Sequence, residues 1–178
     1  MRFLATDALA RARRVRMVLF DVDGVLTDGR LWYGPGGEEL KAFHAFDGHG
    51  VKLLQLAGLK TGLISGRDSA AVSERARELG IEHVVQGADD KHAAFRSLLR
   101  RLGVKQDVTA YMGDDVVDLP VLRRCGFACA PHEAPEEVRR SVHYIAAAPA
   151  GHGAAREVCE FILEAQGKLG TVLARFRR

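Results

Sequence analysis

Cysteine is scarce in this chain and unpaired in pattern. Cys125, Cys129 and Cys159 form no C-x-x-C pair and no zinc-ligand spacing. That argues against a disulfide framework and a structural zinc site; the odd count fits thiols packed as small core residues in a reducing compartment. No apolar run approaches the roughly 18 residues that a membrane-spanning helix needs. The N-terminus lacks the apolar stretch of a secretory leader. The expectation is a cytoplasmic, soluble protein with no membrane contact. A dominant charge sign is missing too: the formal net charge is +3, too little to argue for a nucleic-acid partner. The arginines gather at the two ends (Arg11, Arg13, Arg14 and Arg16; Arg175, Arg177 and Arg178) and read as solvated residues on terminal segments. Between them the chain lacks the aromatic–basic interleaving of a single-strand binder. It also has no internal repeat, low-complexity segment or linker, so its 178 residues are expected to form one domain, 1–178.

What is present starts at Val18-Leu19-Phe20-Asp21-Val22-Asp23-Gly24-Val25-Leu26-Thr27-Asp28-Gly29. An apolar run feeds into two carboxylates spaced two apart, which a strand directs to one face. Adjacent acids repel, so the pair makes sense beside a cation or in the handling of an anion. Residues 30–45 carry two short β-prone runs around Gly34-Pro35-Gly36-Gly37-Glu38 and read as a protruding hairpin. The glycine cluster lacks a Gly-Lys-Ser/Thr ending and a following helix, which excludes a phosphate loop of that kind.

Downstream, helical and strand patterns alternate. The pattern predicts helices over residues 8–15, 50–57, 69–79, 90–102, 116–124, 135–141 and 153–167. It predicts strands over 16–20, 60–64, 82–85, 107–112, 126–130 and 142–145, and a loose basic tail from about 167 to 178. Such alternation implies an α/β fold with a doubly wound, mostly parallel sheet. Ligands of these folds sit beyond the carboxyl ends of the strands. Those ends hold Asp21 and Asp23, Ser65, and Asp114 with Asp115, while Lys91 opens the helix after the third strand. Carboxylates from two strand ends suit a hard divalent cation such as Mg2+. A hydroxyl and a lysine at the same rim suit phosphoryl oxygens. A carboxylate can attack phosphorus, and a second acid can carry the proton.

The ordered set Asp21-Val22-Asp23-Gly24-Val25-Leu26-Thr27, Ile64-Ser65-Gly66-Arg67, Lys91, and Gly113-Asp114-Asp115-Val116-Val117-Asp118 resembles the four motifs of the haloacid dehalogenase-like phosphatases. Asp28-Gly29, the run Gly37 to His44, Asp47-Gly48, Gly87 with Asp90-Lys91, Gly153 to Cys159 and Gln166 to Leu169 narrow the likeness. They resemble the family of 3-deoxy-D-manno-octulosonate 8-phosphate (KDO 8-phosphate) phosphatases. The resemblance implies Mg2+-dependent hydrolysis of a sugar-acid phosphate through an aspartyl-phosphate, in lipopolysaccharide precursor synthesis. It makes Asp21 the nucleophile and a metal ligand. Asp23 becomes the general acid/base and a ligand through its main-chain carbonyl, and Asp114 the third ligand. Asp115 and Asp118 become further acids on the metal side. Ser65 and Lys91 would hold and neutralise the phosphoryl group. His44, Ala45, Phe46, Asp47, Gly48, Lys52, Arg67 and Arg75 would line the substrate side with Asp23 and Lys91.

An arginine is usual in that family where this chain has Phe46, which leaves a nine-carbon sugar-acid 9-phosphate open as the substrate. The motif spacing leaves no room for a cap domain, so something else must close the rim, and a neighbouring subunit is the simple candidate. The resemblance implies a homotetramer built by the hairpin, with tails reaching neighbouring sites. A signalling receiver domain is a poor fit, because the third strand runs into Val84-Val85-Gln86-Gly87 with no acceptor acid. A scaffold that has lost catalysis is a poor fit because every core motif residue is present.

Overall fold

The computed structural model describes residues 3–177; Arg178, one of the terminal arginines, lies outside them. The order of elements is β1 (Phe3–Leu4), α1 (Ala8–Arg14), β2 (Met17–Phe20), β3 (Trp32–Tyr33), β4 (Glu39–Leu40), α2 (Ala45–Leu56), β5 (Lys60–Ile64), α3 (Ala70–Leu79) and β6 (His83–Val85). There follow α4 (Lys91–Leu102), β7 (Thr109–Met112), α5 (Leu119–Leu122), β8 (Phe127–Pro131), α6 (Glu136–Arg139), β9 (Tyr144–Ala146), α7 (Ala154–Ala165) and α8 (Leu169–Leu173). The main sheet runs β1-β9-β8-β7-β2-β5-β6; its neighbours pair in parallel except β1, which lies antiparallel on β9. A separate two-stranded ribbon joins β3 to β4 in the register Trp32↔Leu40. Among the described residues no cap domain covers the sheet.

Period-two alternation splits the core between the two faces. On β2, Val18 and Phe20 pack with Val51, Leu54, Val158 and Ile162, whereas Met17 and Leu19 pack with Phe95, Leu98 and Tyr111. The first set belongs to α2 and α7, the second to α4 and β7. β2 lies between β5 and β7, so the sheet order reverses at its C-terminal end, where α/β folds open a ligand crevice. The three thiols are buried in these layers, and burial pushes Cys125 up to about 12.

Most boundaries fall within three residues of the expected ones, and four features depart further in kind or extent. The short edge strand β1 precedes the first expected helix. α2 begins at Ala45, five residues before the expected Gly50, because His44 caps it: Phe46 N donates to His44 Nδ1 at 3.2 Å. Gly48 and Gly50 hid this start, since glycine is a poor helix former. Both are used for close packing. A Cβ on Gly50 would lie 3.0 Å from the Arg156 backbone, and one on Gly48 would lie 2.3 Å from an Arg75 nitrogen. The expected helix over 116–124 is a 3-10 turn at 116–118 followed by the short α5. The tail is not loose: α8 buries Val172, and Lys168 Nζ donates to the Ala57 carbonyl at 3.2 Å.

Candidate active site

Asp21 follows the last residue of β2. Carried one position beyond the strand, the alternation of Met17 and Leu19 turns its carboxylate toward the α4 face. There Lys91, the first residue of α4, places Nζ 2.7 Å from Asp21 Oδ2 and 2.8 Å from Asp118 Oδ1. Asp90 caps that helix by accepting from Ala93 N at 2.9 Å, which fixes the lysine at the rim.

Asp21, Asp114 and Asp118 each offer an oxygen within 4.8 Å of the others. Burial, and then the charge of Asp118, push Asp21 up to about 6 against the opposing pull of Lys91. Burial, and then Asp21 and Asp118, push Asp114 up to about 8. Burial depresses Lys91, but Asp21 and Asp118 outweigh it and hold the ammonium above its ordinary range. One lysine thus faces three acids. The group lacks positive charge, which a hard divalent cation would supply. The donor set fits Mg2+.

Within the group Asp118 differs from the other two. It is fully buried, and both its oxygens are taken. Oδ1 accepts from Lys91 Nζ and from Tyr111 Oη at 2.6 Å; Oδ2 accepts from Asp114 N at 3.1 Å and Asp115 N at 3.3 Å. Burial and Asp118 keep the Tyr111 hydroxyl protonated well above its ordinary range. Asp118 therefore holds Lys91 and the Asp114 loop in place. Asp115 is exposed and accepts from Val116 N at 2.7 Å, closing the turn reciprocally with Asp118. Gly24 gives the chain both its turn and its clearance: its φ is +78°, and a Cβ there would lie 2.0 Å from Asp114 Oδ2.

Asp23 points away from the acid group, toward the hairpin. Its Oδ1 is 2.5 Å from Lys41 Nζ, and its Oδ2 is 3.9 Å from Arg67 Nε. Ser65 is buried at the end of β5 and accepts from Arg67 N at 3.2 Å, which leaves its own proton free to donate. Asp21, Asp23, Ser65, Arg67 and Asp114 border one cavity of about 450 Å³, with Leu31 of the hairpin and Val117 at its edge.

The expected substrate segment is only partly at this cavity. Asp23 and Arg67 line it, and Lys91 stands behind Asp21. His44, Asp47, Gly48 and Arg75 instead surround a cleft of about 10 Å³. Asp47 is buried and caps α7 from a distance, accepting from Gly153 N at 3.0 Å and Arg156 N at 2.8 Å. Arg75 pairs with Glu78 at 3.1 Å and reaches the His44 carbonyl at 3.5 Å, buttressing the hairpin exit. Ala45 and Phe46 are exposed on the first turn of α2. Lys52 lies near Gly80, at the opposite end of α3 from the rim. The physical reason is the early start of α2: a helix turns these side chains in different directions, where an extended loop would have lined them up.

Sequence reasoning missed Lys41 and Glu39 at the site. Their signal is the alternation Glu39-Leu40-Lys41, which puts both charges on one face of the ribbon and Leu40 on the other.

The family model for haloacid dehalogenase-like hydrolases matches residues 48–126. A KDO 8-phosphate phosphatase of Escherichia coli (strain K12) is 39% identical over 166 residues, covering 93% of this chain and 88% of the relative. A solved structure of a probable YrbI-family phosphatase from Pseudomonas syringae pv. phaseolica superimposes with a TM-score of 0.94 at 45% identity, covering 98% of this chain and 99% of that one. A Moraxella catarrhalis KDO 8-phosphate phosphatase, solved with a magnesium ion, a phosphate ion and a KDO molecule, gives 0.93 at 40% identity, covering 96% and 98%.

Proposed function

The chain belongs to the haloacid dehalogenase-like hydrolases, in the branch of the KDO 8-phosphate phosphatases, and from that premise we propose how its own residues carry out phosphomonoester hydrolysis. The activity is Mg2+-dependent conversion of KDO 8-phosphate to KDO and phosphate, a step of lipopolysaccharide precursor synthesis. One observation carries the assignment of roles. A buried aspartate, Asp21, sits at the sheet's switch point between a lysine and a second raised carboxyl.

Asp21 and Asp114, with the main-chain carbonyl of Asp23, would hold the Mg2+ ion, which would neutralise the carboxylates and polarise the phosphoryl oxygens. Asp21 attacks phosphorus. Asp23 gives its proton to the leaving sugar oxygen, so the alkoxide never has to depart as an anion. The aspartyl-phosphate then takes water, whose proton returns to Asp23, and phosphate leaves with Asp21 restored. The Ser65 hydroxyl donates to a phosphoryl oxygen. Lys91, held against Asp21, neutralises charge as it builds in the transition state, which is mostly electrostatic work in phosphoryl transfer. Arg67 faces the cavity and suits the carboxylate of a sugar acid.

The working unit in this reading is a cytoplasmic homotetramer. The exposed ribbon side chains Leu31, Trp32, Tyr33 and Leu40 supply an apolar surface of the kind interfaces bury. A neighbour seated there closes the cavity beside Leu31.

The test is phosphate release from a panel of sugar phosphates with and without Mg2+. KDO 8-phosphate is expected to give the highest kcat/KM, with no turnover after metal removal. Preference for a nine-carbon sugar-acid 9-phosphate, which Phe46 leaves open, would overturn the choice of sugar. Metal-independent turnover would overturn the mechanism.

A further inference from the structure

Lys41 has no part in the mechanism so far, yet its side chain is only 1% exposed. Lysine is rarely buried, and desolvating an ammonium is costly unless it is well paired. Here it is. Nζ lies 2.5 Å from Asp23 Oδ1 and 3.1 Å from Glu39 Oε1. Arg67 completes a ring, with Nη1 3.8 Å from Glu39 Oε1 and Nε 3.9 Å from Asp23 Oδ2. The signs alternate around these four groups. Glu39 and Lys41 come from the hairpin, Asp23 from the end of β2 and Arg67 from the end of β5. The hairpin thus meets the catalytic centre through a direct contact on its proton carrier. The two oxygens of Asp23 are left unequal: Oδ1 is held at hydrogen-bond length, whereas the Oδ2–Arg67 separation is longer than a hydrogen bond.

We propose that Lys41 is a positioning residue that fixes the Asp23 carboxylate so that a single oxygen, Oδ2, exchanges the proton in both halves of the reaction. The inference rests on the reading of Asp23 as general acid and base. In the first half, the bond from Asp21 to phosphorus forms, the ester P–O bond breaks, and the proton on Asp23 Oδ2 moves to the departing oxygen. In the second, the oxygen of water bonds to phosphorus and the P–O bond to Asp21 breaks. The water proton then goes to Oδ2. Losing the tether frees the carboxylate to rotate, and misplacing a proton donor costs rate in proportion to how much the leaving group needs it.

That dependence supplies the experiment. Wild type, Lys41→Met and Lys41→Arg are assayed with Mg2+ on a sugar phosphate, whose alkoxide needs protonation, and on p-nitrophenyl phosphate, whose phenolate does not. For Lys41→Met, kcat on the sugar phosphate is expected to fall on the order of 10²-fold with KM nearly unchanged. The pre-steady-state burst of nitrophenolate, which reads phosphorylation of Asp21 alone, should slow less than about tenfold. Lys41→Arg should restore most of the lost kcat. Lys41→Gln replaces Lys41→Met if the latter fails to fold. Equal losses on the two esters, or no rescue by arginine, would overturn the proposal while leaving the phosphatase reading intact. A wild-type enzyme inactive on both esters would instead strike at that reading.

Discussion

Asp21 is pushed up to about 6 and Asp114 to about 8, chiefly by burial and then by neighbouring acids, so without metal the folded site keeps protons that the unfolded chain has given up. Unfolded aspartates ionise near 3.9. The contribution of these two groups is therefore fully present below about pH 4 and is lost as pH rises through 6 and 8, since the native state binds more protons across that window. Denaturant unfolding in a chelator should show this part of the stability falling between about pH 4 and 8. Mg2+ should flatten the slope and raise the midpoint, and its affinity should rise with pH over the same window. A chelated protein whose stability climbs through that range would contradict the assignment.

At the same scale, Asp118→Asn places an amide against two side-chain donors and two backbone N–H groups. It is expected to cost about 2–4 kcal/mol by denaturation and to lower kcat at least tenfold, because Lys91 and the Asp114 loop lose their common anchor. Retained stability would show that the four contacts are dispensable.

Among the elements, α2 and α7 show a side chain working away from its expected place. Asp47 was expected to line the substrate; its carboxylate caps α7, whose own N-cap is Gly153. Asp47→Ala should cost about 1–2 kcal/mol in unfolding experiments and leave KM within about twofold. A large KM rise with unchanged stability would return Asp47 to the substrate.

The contrast with Asp21 says what a sequence can reveal. Asp21, Ser65, Lys91 and Asp114 were legible because strand ends and helix starts have fixed places in a parallel sheet. His44 to Lys52 were not, because two glycines masked a helix, and a helix scatters neighbouring side chains around its axis. Lys41 was hidden for another reason. Its pairing with Asp23 exists only once the ribbon folds back on the sheet, and no local period encodes that contact.

For the whole molecule, the proposed assembly would seat a neighbour on the apolar ribbon and so enclose the open cavity beside Leu31. Trp32 is 56% exposed in the single chain and faces Leu40 across the ribbon, itself 53% exposed. Trp32→Glu should weaken association by about 2 kcal/mol or more per interface, shifting the sedimenting species to smaller mass and raising KM. An unchanged mass would remove the ribbon from the assembly.

The central claim, that Asp21 carries the phosphoryl group, has a direct test. Asp23→Asn, which cannot activate the water of the second half-reaction, is mixed with p-nitrophenyl phosphate and Mg2+, quenched in acid and digested for mass spectrometry. The account predicts the added mass of one phosphoryl group on the peptide containing Asp21, absent when Asp21→Asn is introduced as well. Phosphoryl on another residue, or undiminished hydrolysis in the Asp21→Asn enzyme, would contradict it.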